Sequence, residues 1–410
     1  MVSIADPVAV PPLAGVAGAI APVAAPATVL KPAISALAAG ERELRIDLFR
    51  GLALWLIYID HVSPDLLTWF TIRNYGFSDA AEIFIFISGF TAAFVYGRAM
   101  NRSGFVIGAA RILKRVGQIY LAHIFLLTIM LAEVCYFVAG VNNPFYSQEM
   151  GIVHFFKDPG ATMLQALLLR FRPLNMDVLP LYIVLMFFLP LILVLMKWRP
   201  NVTLALSVLL YFLRWRYDLY LTAYPGGFWA FNPFAWQLLF VFGAWCALGG
   251  AQTISRIVSS RITLWVAIAY VLAAFFVTLT WSFPQLSPLI PRQIEQWIYP
   301  ISKTDFDVLR FVHFLALAAI TVRMVPGDWP GLKSPWLRPL VLCGQHSLEI
   351  FCLSIFLAFT GYFVLTELSA GIAVHFLVGI VGVLIMSAAA WLASTYKRSV
   401  EKSANADFVG

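Results

Sequence analysis

From about residue 41 onward, apolar residues come in blocks of about twenty, separated by short polar segments rich in Arg and Lys. A membrane-spanning helix needs about 20 mostly apolar residues. The pattern therefore predicts an all-α, polytopic bundle of ten spans, near 46–63, 80–98, 115–139, 178–196, 201–213, 233–250, 262–281, 308–325, 341–365 and 371–395. The fifth block is short and the first carries charges. A re-entrant piece over Ala161–Leu169 on the outer side leaves the parity unchanged. Residues 1–40 read differently. They alternate Ala, Pro and Val, and Pro interrupts every short apolar run, so no helix propagates there. They lack the basic start and apolar block of a signal peptide. The expected organisation is a disordered tail at 1–40, a membrane domain at 41–399 and a second cytoplasmic tail at 400–410.

Loop charges orient this map. With both termini inside, 18 Lys and Arg residues fall on the cytoplasmic side against 9 outside, Lys31 remaining in the tail. Every cytoplasmic loop then carries at least two of them, as the positive-inside rule requires. No internal repeat is visible, which speaks against a repeat-built secondary transporter.

Composition agrees. Of 410 residues, 61% are hydrophobic and 12% charged, about half the share of roughly 25% in soluble domains. That excludes an ordinary soluble enzyme, a disordered chain and a nucleic-acid binder. The formal charge of +7 does not revive nucleic-acid binding, because the basic residues sit in small clusters between apolar runs. Cys135, Cys246, Cys343 and Cys352 lie in apolar stretches and suggest neither a metal site nor a disulfide framework. Motifs for nucleotide hydrolysis, zinc proteolysis and serine-hydrolase chemistry are absent.

Ionisable residues inside a span cost about 2.5–3.5 kcal/mol on insertion scales and mark function by default. In the first span Asp47, Arg50, Tyr58 and His61 share one helical stripe. Arg50 and His61 are eleven residues apart, roughly 16 Å along the axis. A cation thus lies towards the cytoplasm and an imidazole towards the outer surface. Snorkelling of both to the headgroups is the plainer alternative. Asp60 precedes His61 but points about a quarter-turn away. Glu82, one turn into the second span, is another candidate partner for the ring, and Asp79 reads as a helix cap. Ser88-Gly89, near mid-membrane, fits close helix packing or the lining of a channel. Before the third span, Arg111, Arg115 and Gln118 share a face beside Lys114. Positive-inside anchoring explains them, and so does a phosphate clamp. His123, His313 and His375 read as packing residues, and Glu349 stays open between structure and function.

These residues carry a resemblance. Arg50-x10-His61, Phe84-Ile-Phe86-Ile-Ser88-Gly89-Phe90 and the basic segment Arg111 to Tyr120 resemble the membrane acyltransferase-3 superfamily, although Gly117-Gln118 stands where a Pro is common. Asp47-Leu-Phe-Arg50-Gly-Leu-Ala-Leu-Trp, Thr71-Ile-Arg73-Asn74-Tyr-Gly-Phe-Ser78-Asp79, Ile87 to Gly97, Asn175 to Tyr182 and Trp236 to Gly243 resemble its OpgC branch. The resemblance implies an inner-membrane enzyme that takes succinyl from cytoplasmic succinyl-CoA and esterifies hydroxyls of osmoregulated periplasmic glucan. Under it, His61 is the general base, with Asp60 or Glu82 orienting the ring. Arg50, Arg111, Lys114, Arg115, Ser88 and Tyr120 form the acyl-CoA site. The cation for the succinyl carboxylate stays open among Arg73, Arg170, Arg172, Arg214 and Arg216. No resident cofactor, metal or nucleic acid is expected; the partners are acyl-CoA, glucan and the bilayer. Two alternatives remain: an O-acetyltransferase on an envelope polysaccharide, and a glycan or acyl transporter.

Overall fold

A computed structural model describes residues 43–407, apart from 63–65, 142–147, 149 and 368–370. The tail expected at 1–40 lies outside the described residues. Within them the regular structure is helical, with one isolated bridge between Thr222 and Phe228. Helix α1 covers Leu44–Val62, and α2 covers Ala80–Val141. A short α3, Pro159–Leu167, precedes α4 (Val178–Trp198) and α5 (Pro200–Tyr217). Then come α6 (Pro233–Trp245), α7 (Arg261–Ser282) and α8 (Val308–Met324). The chain closes with α9 (Arg338–Gln345), α10 (Ser347–Glu367) and α11 (Ile372–Asp407).

Local chemistry sets these boundaries. Asn232, Ser260 and Asp307 cap α6, α7 and α8 by accepting a backbone N–H two residues on. Pro159, Pro200 and Pro233 open α3, α5 and α6, where a missing N–H costs nothing. Helix α2 reverses at Gly104, whose φ of +83° favours glycine. Met100 lies against Gly108 across the bend, so the two arms of α2 are the second and third predicted spans. The span expected at 341–365 is broken instead. At His346 (φ −111°, ψ 41°) α9 ends and α10 begins.

Six helices among the described residues are long and apolar enough to cross a membrane: Ala80–Phe137, Val178–Trp198, Pro233–Ser259, Arg261–Ser282, Ser347–Glu367 and Ile372–Val400. Helices α1, α5 and α8 fall short. The first carries four charged residues, α5 ends on Arg214 and Arg216, and α8 has only 17 residues. Large apolar side chains such as Leu191, Trp265, Leu377 and Leu384 are exposed on outward helix faces.

Helix α1 packs chiefly on α9, α10 and α2, while α2 packs on α6 and α4. Two reciprocal glycine contacts set the closest crossings. A Cβ on Gly51 would lie 1.8 Å from the Leu340 carbonyl oxygen, and one on Gly344 would lie 1.9 Å from that of Asp47. Gly89 and Gly243 do the same for α2 and α6, against the carbonyls of Phe240 and Phe86. Small residues let helix backbones approach this closely in a membrane. Gly89→Leu is therefore expected to destabilise the bundle by at least about 1–3 kcal/mol, visible as a lower melting temperature in detergent. Gly117→Ala, with nothing within 4 Å of the added carbon, is the matched control and should melt like the parent.

Candidate active site

The bundle holds a cavity of about 330 Å³ between α1, both arms of α2, α4 and the start of α10. Arg50, Ser88, Thr91, Arg115, Gln118 and Tyr182 line it, with Tyr96 and Ser347. Three of the six residues expected at the acyl-CoA site thus meet on one wall. Ser88 faces the cavity, while its neighbour Gly89 makes the α2–α6 crossing. One dipeptide serves both roles.

The other three sit elsewhere. Arg111 and Lys114 are exposed on the same arm, outside the cavity lining. The Tyr120 hydroxyl donates to the Leu167 carbonyl at 2.9 Å. Tyr120 stands sixteen residues past Gly104, about 24 Å along the arm, so α3 reaches well into the bundle. Arg50 is heavily engaged. It bonds the Thr91 hydroxyl, the carbonyls of Ile87 and Gly344 at 3.4 and 3.5 Å, and pairs with Asp47 at 3.9 Å. Its cation meets the Gly344 carbonyl in the last turn of α9, where the helix dipole favours positive charge. Arg50 therefore joins α1, α2 and α9 while forming part of the wall. Among the described residues Arg115 hydrogen-bonds Gln118 alone, at 3.2 Å.

His61 lies in the last turn of α1, at its C-terminal end. Its Nδ1 is 2.5 Å from the Ile57 carbonyl oxygen. A carbonyl only accepts, so Nδ1 carries the proton and Nε2 keeps its lone pair. Neither expected carboxylate touches the ring. Asp60 accepts from the Thr71 hydroxyl at 2.6 Å, which ties α1 to the turns over residues 67–74. Glu82 completes a capping box at the start of α2. Asp79 accepts from the Ala81 N–H, and Glu82 accepts from the Asp79 N–H, both at 2.8 Å. The other Glu82 oxygen pairs with Arg310 at 2.7 Å.

Arg310 also reaches Asp79 at 3.2 Å, and Lys303 reaches the same oxygen at 2.6 Å. Two carboxylates and two cations from three parts of the chain thus form one cluster. Burial alone would raise the Asp79 carboxyl, but Lys303 and Arg310 hold it well below the usual carboxylate range. The Lys303 loop is clamped from below. Its carbonyl accepts from Trp236 at 3.0 Å, Tyr211 bonds the Phe306 carbonyl at 2.9 Å, and Arg214 pairs with Asp305 at 2.6 Å.

This geometry sorts the cations expected on the outer side. Arg214 is committed to Asp305, and Arg172 to Asp177 at 2.7 Å with the Trp229 ring 4.4 Å away. Arg170 holds Thr222, and Arg216 lies over Tyr217. Lys303, 44% exposed, and exposed Arg73 are within electrostatic range of both Asp60 and His61. Lys303 and Arg310 stood in the sequence only as loop charges; their partners lie more than 220 residues away. Tyr96 and Tyr182 lay inside family-like strings without a role.

The other histidines are placed as follows. His313 Nδ1 takes the Ser78 backbone N–H at 3.2 Å, and its far nitrogen abuts Gly76. His346 bonds Ser394 at 2.9 Å, and His375 the Gly371 carbonyl at 3.1 Å. His123 is fully buried. Glu349 is exposed.

No curated protein and no solved structure matches the chain. The family model described as OpgC protein does match, over residues 42–398. That interval holds α1 through most of α11, the cavity and the charged cluster, and the chain belongs to the OpgC family.

Proposed function

We propose that this protein is a multi-pass inner-membrane O-acyltransferase that moves succinyl from cytoplasmic succinyl-CoA to a hydroxyl of periplasmic glucan. Membership of the OpgC family supports a glucan-modifying acyltransferase-like function. The observation that carries the finer reading is the cavity where Ser88 and Arg115 of α2 meet Arg50 of α1, the helix that also carries His61. At about 330 Å³ it stands at the low end of ligand pockets, which run from about 300 to 1,000 Å³. It suits the pantetheine arm, and the nucleotide stays against exposed Arg111 and Lys114. The arm then covers the roughly 16 Å from Arg50 to His61.

In the reaction, His61 Nε2 takes the proton of a sugar hydroxyl. The oxygen attacks the thioester carbonyl, the C–S bond breaks, and the imidazolium returns its proton to the departing CoA thiolate. The Ile57 carbonyl fixes the tautomer. Asp60 and Asp79 supply negative potential for the imidazolium, in place of a carboxylate bonded to the ring. Lys303 and Arg73 meet the succinyl carboxylate. Ten crossings with both termini inside complete the reading: the two arms of α2, the other five apolar helices, and α1, α5 and α8.

Proteoliposomes given labelled succinyl-CoA or acetyl-CoA on one face and glucan on the other test this. Label is expected on glucan from succinyl-CoA. Label from acetyl-CoA alone would move the enzyme to the acetylating class. No label from either, with folded protein, would favour a transporter.

A further inference from the structure

We infer that a second cavity, at the outer end of α7, is a carbohydrate subsite that grips the acceptor glucan away from the reacting hydroxyl; this rests on the acyltransferase reading above. The cavity measures about 310 Å³ and is lined by Thr280, Trp281, Ser287, Ile290, Glu295 and Tyr299. Its wall suits a neutral sugar. Ring C–H faces pack on aromatic side chains, whose polar tips stay available for hydrogen bonds. Sugar hydroxyls need acceptors as well as donors, and a carboxylate is the strongest acceptor a side chain offers.

Each part is present. The Trp281 indole N–H bonds the Tyr299 hydroxyl, with ring centroids 6.2 Å apart and planes at 50°. That fixes two aromatic rings as an angled wall. The exposed Glu295 carboxylate makes no hydrogen bond or ion pair among the described residues, so its oxygens are open to hydroxyl donors. Thr280 spends its proton on the Val277 carbonyl at 2.7 Å and keeps its lone pairs. No Lys or Arg lines the cavity, which argues against a phosphate or a lipid headgroup. A simple aromatic belt at the membrane surface describes Trp297, 90% exposed, better than a walled cavity with a carboxylate.

The cavity is also joined to His61. Phe283, next to the cavity, meets Trp69 at 6.1 Å, Trp69 meets Tyr75 at 6.3 Å, and Tyr75 stacks on Phe275 of α7 at 5.8 Å. Trp69 and Tyr75 flank Thr71, which bonds Asp60 beside His61. Aromatic contacts thus run from the cavity to the turns that hold Asp60, the chain neighbour of His61. A chain of several sugars held in the cavity can present a hydroxyl further along at Nε2, so a long acceptor gains more from the cavity than a disaccharide does.

The test compares a disaccharide with a long β-glucan oligosaccharide as acceptors for the enzyme in nanodiscs. Trp281→Ala and Glu295→Gln are each expected to raise KM for the long acceptor about tenfold relative to that for the disaccharide. Glu295→Gln keeps shape and removes charge, so it answers even where Trp281→Ala folds poorly. Saturation-transfer NMR with the long oligosaccharide should show contact in the parent and a loss in both variants. An unchanged KM ratio in an active enzyme, or unchanged saturation transfer in both variants, overturns the subsite. Saturation transfer that is lost in the variants, from a parent that transfers no acyl group, would keep the subsite and sink the acyltransferase reading instead.

Discussion

His61→Ala folds and inserts like the parent and loses transfer by about 10²–10⁴-fold, the usual worth of a general base. The geometry explains why the loss is chemical. Among the described residues the ring makes one hydrogen bond, within its own turn of α1, to the Ile57 carbonyl, so its removal frees no distant partner there. That bond keeps the proton on Nδ1 and leaves Nε2 as the basic atom. Asp60→Asn should cost much less than His61→Ala, because Asp60 is bonded to Thr71 and not to the ring. Transfer of labelled succinyl in proteoliposomes, with circular dichroism as the folding control, reads both variants. Transfer by His61→Ala within a few-fold of the parent would remove this residue from the chemistry.

The helical character of the chain was plain from its apolar blocks, because lipid leaves the backbone no other partner than itself. The reversal inside α2 followed from a basic segment between two apolar ones. The break between α9 and α10 did not. Its cause is a tertiary contact, the backbone crossing of Gly344 with Asp47, together with the bond from His346 to Ser394. Hydropathy saw one continuous span there. The candidate site divides in the same way. The resemblance grouped Ser88 with Arg115, and in the structure the two arms of α2 bring them to one cavity. Asp79 and Glu82 form a box that short-range pattern can find. Spacing could not say that Glu82 turns to Arg310 instead of His61, because that depends on where α8 docks. Lys303 stayed hidden for the same reason.

Arg310→Met is expected to lower stability by about 3–5 kcal/mol, as when one partner of a buried ion pair is removed. Glu82 is 0% exposed and, among the described residues, would be left with a buried charge hydrogen-bonded by the Asp79 N–H alone. The cost should come from that stranded charge. Adding Glu82→Gln removes the charge and keeps an oxygen for the capping box, so the double variant should regain much of the lost stability. Melting temperatures of the parent, both single variants and the double form a cycle that isolates the coupling. Additive losses would mean that Arg310 matters through packing alone. Activity separates a second role. Asp79 holds both Arg310 and Lys303, through one oxygen. With Arg310 gone, that oxygen binds Lys303 alone and draws it from the acyl carboxylate. A double variant that melts like the parent and still shows a raised KM for succinyl-CoA would tie the cluster to donor recognition. Parent-like kinetics would confine it to holding α8 against α2.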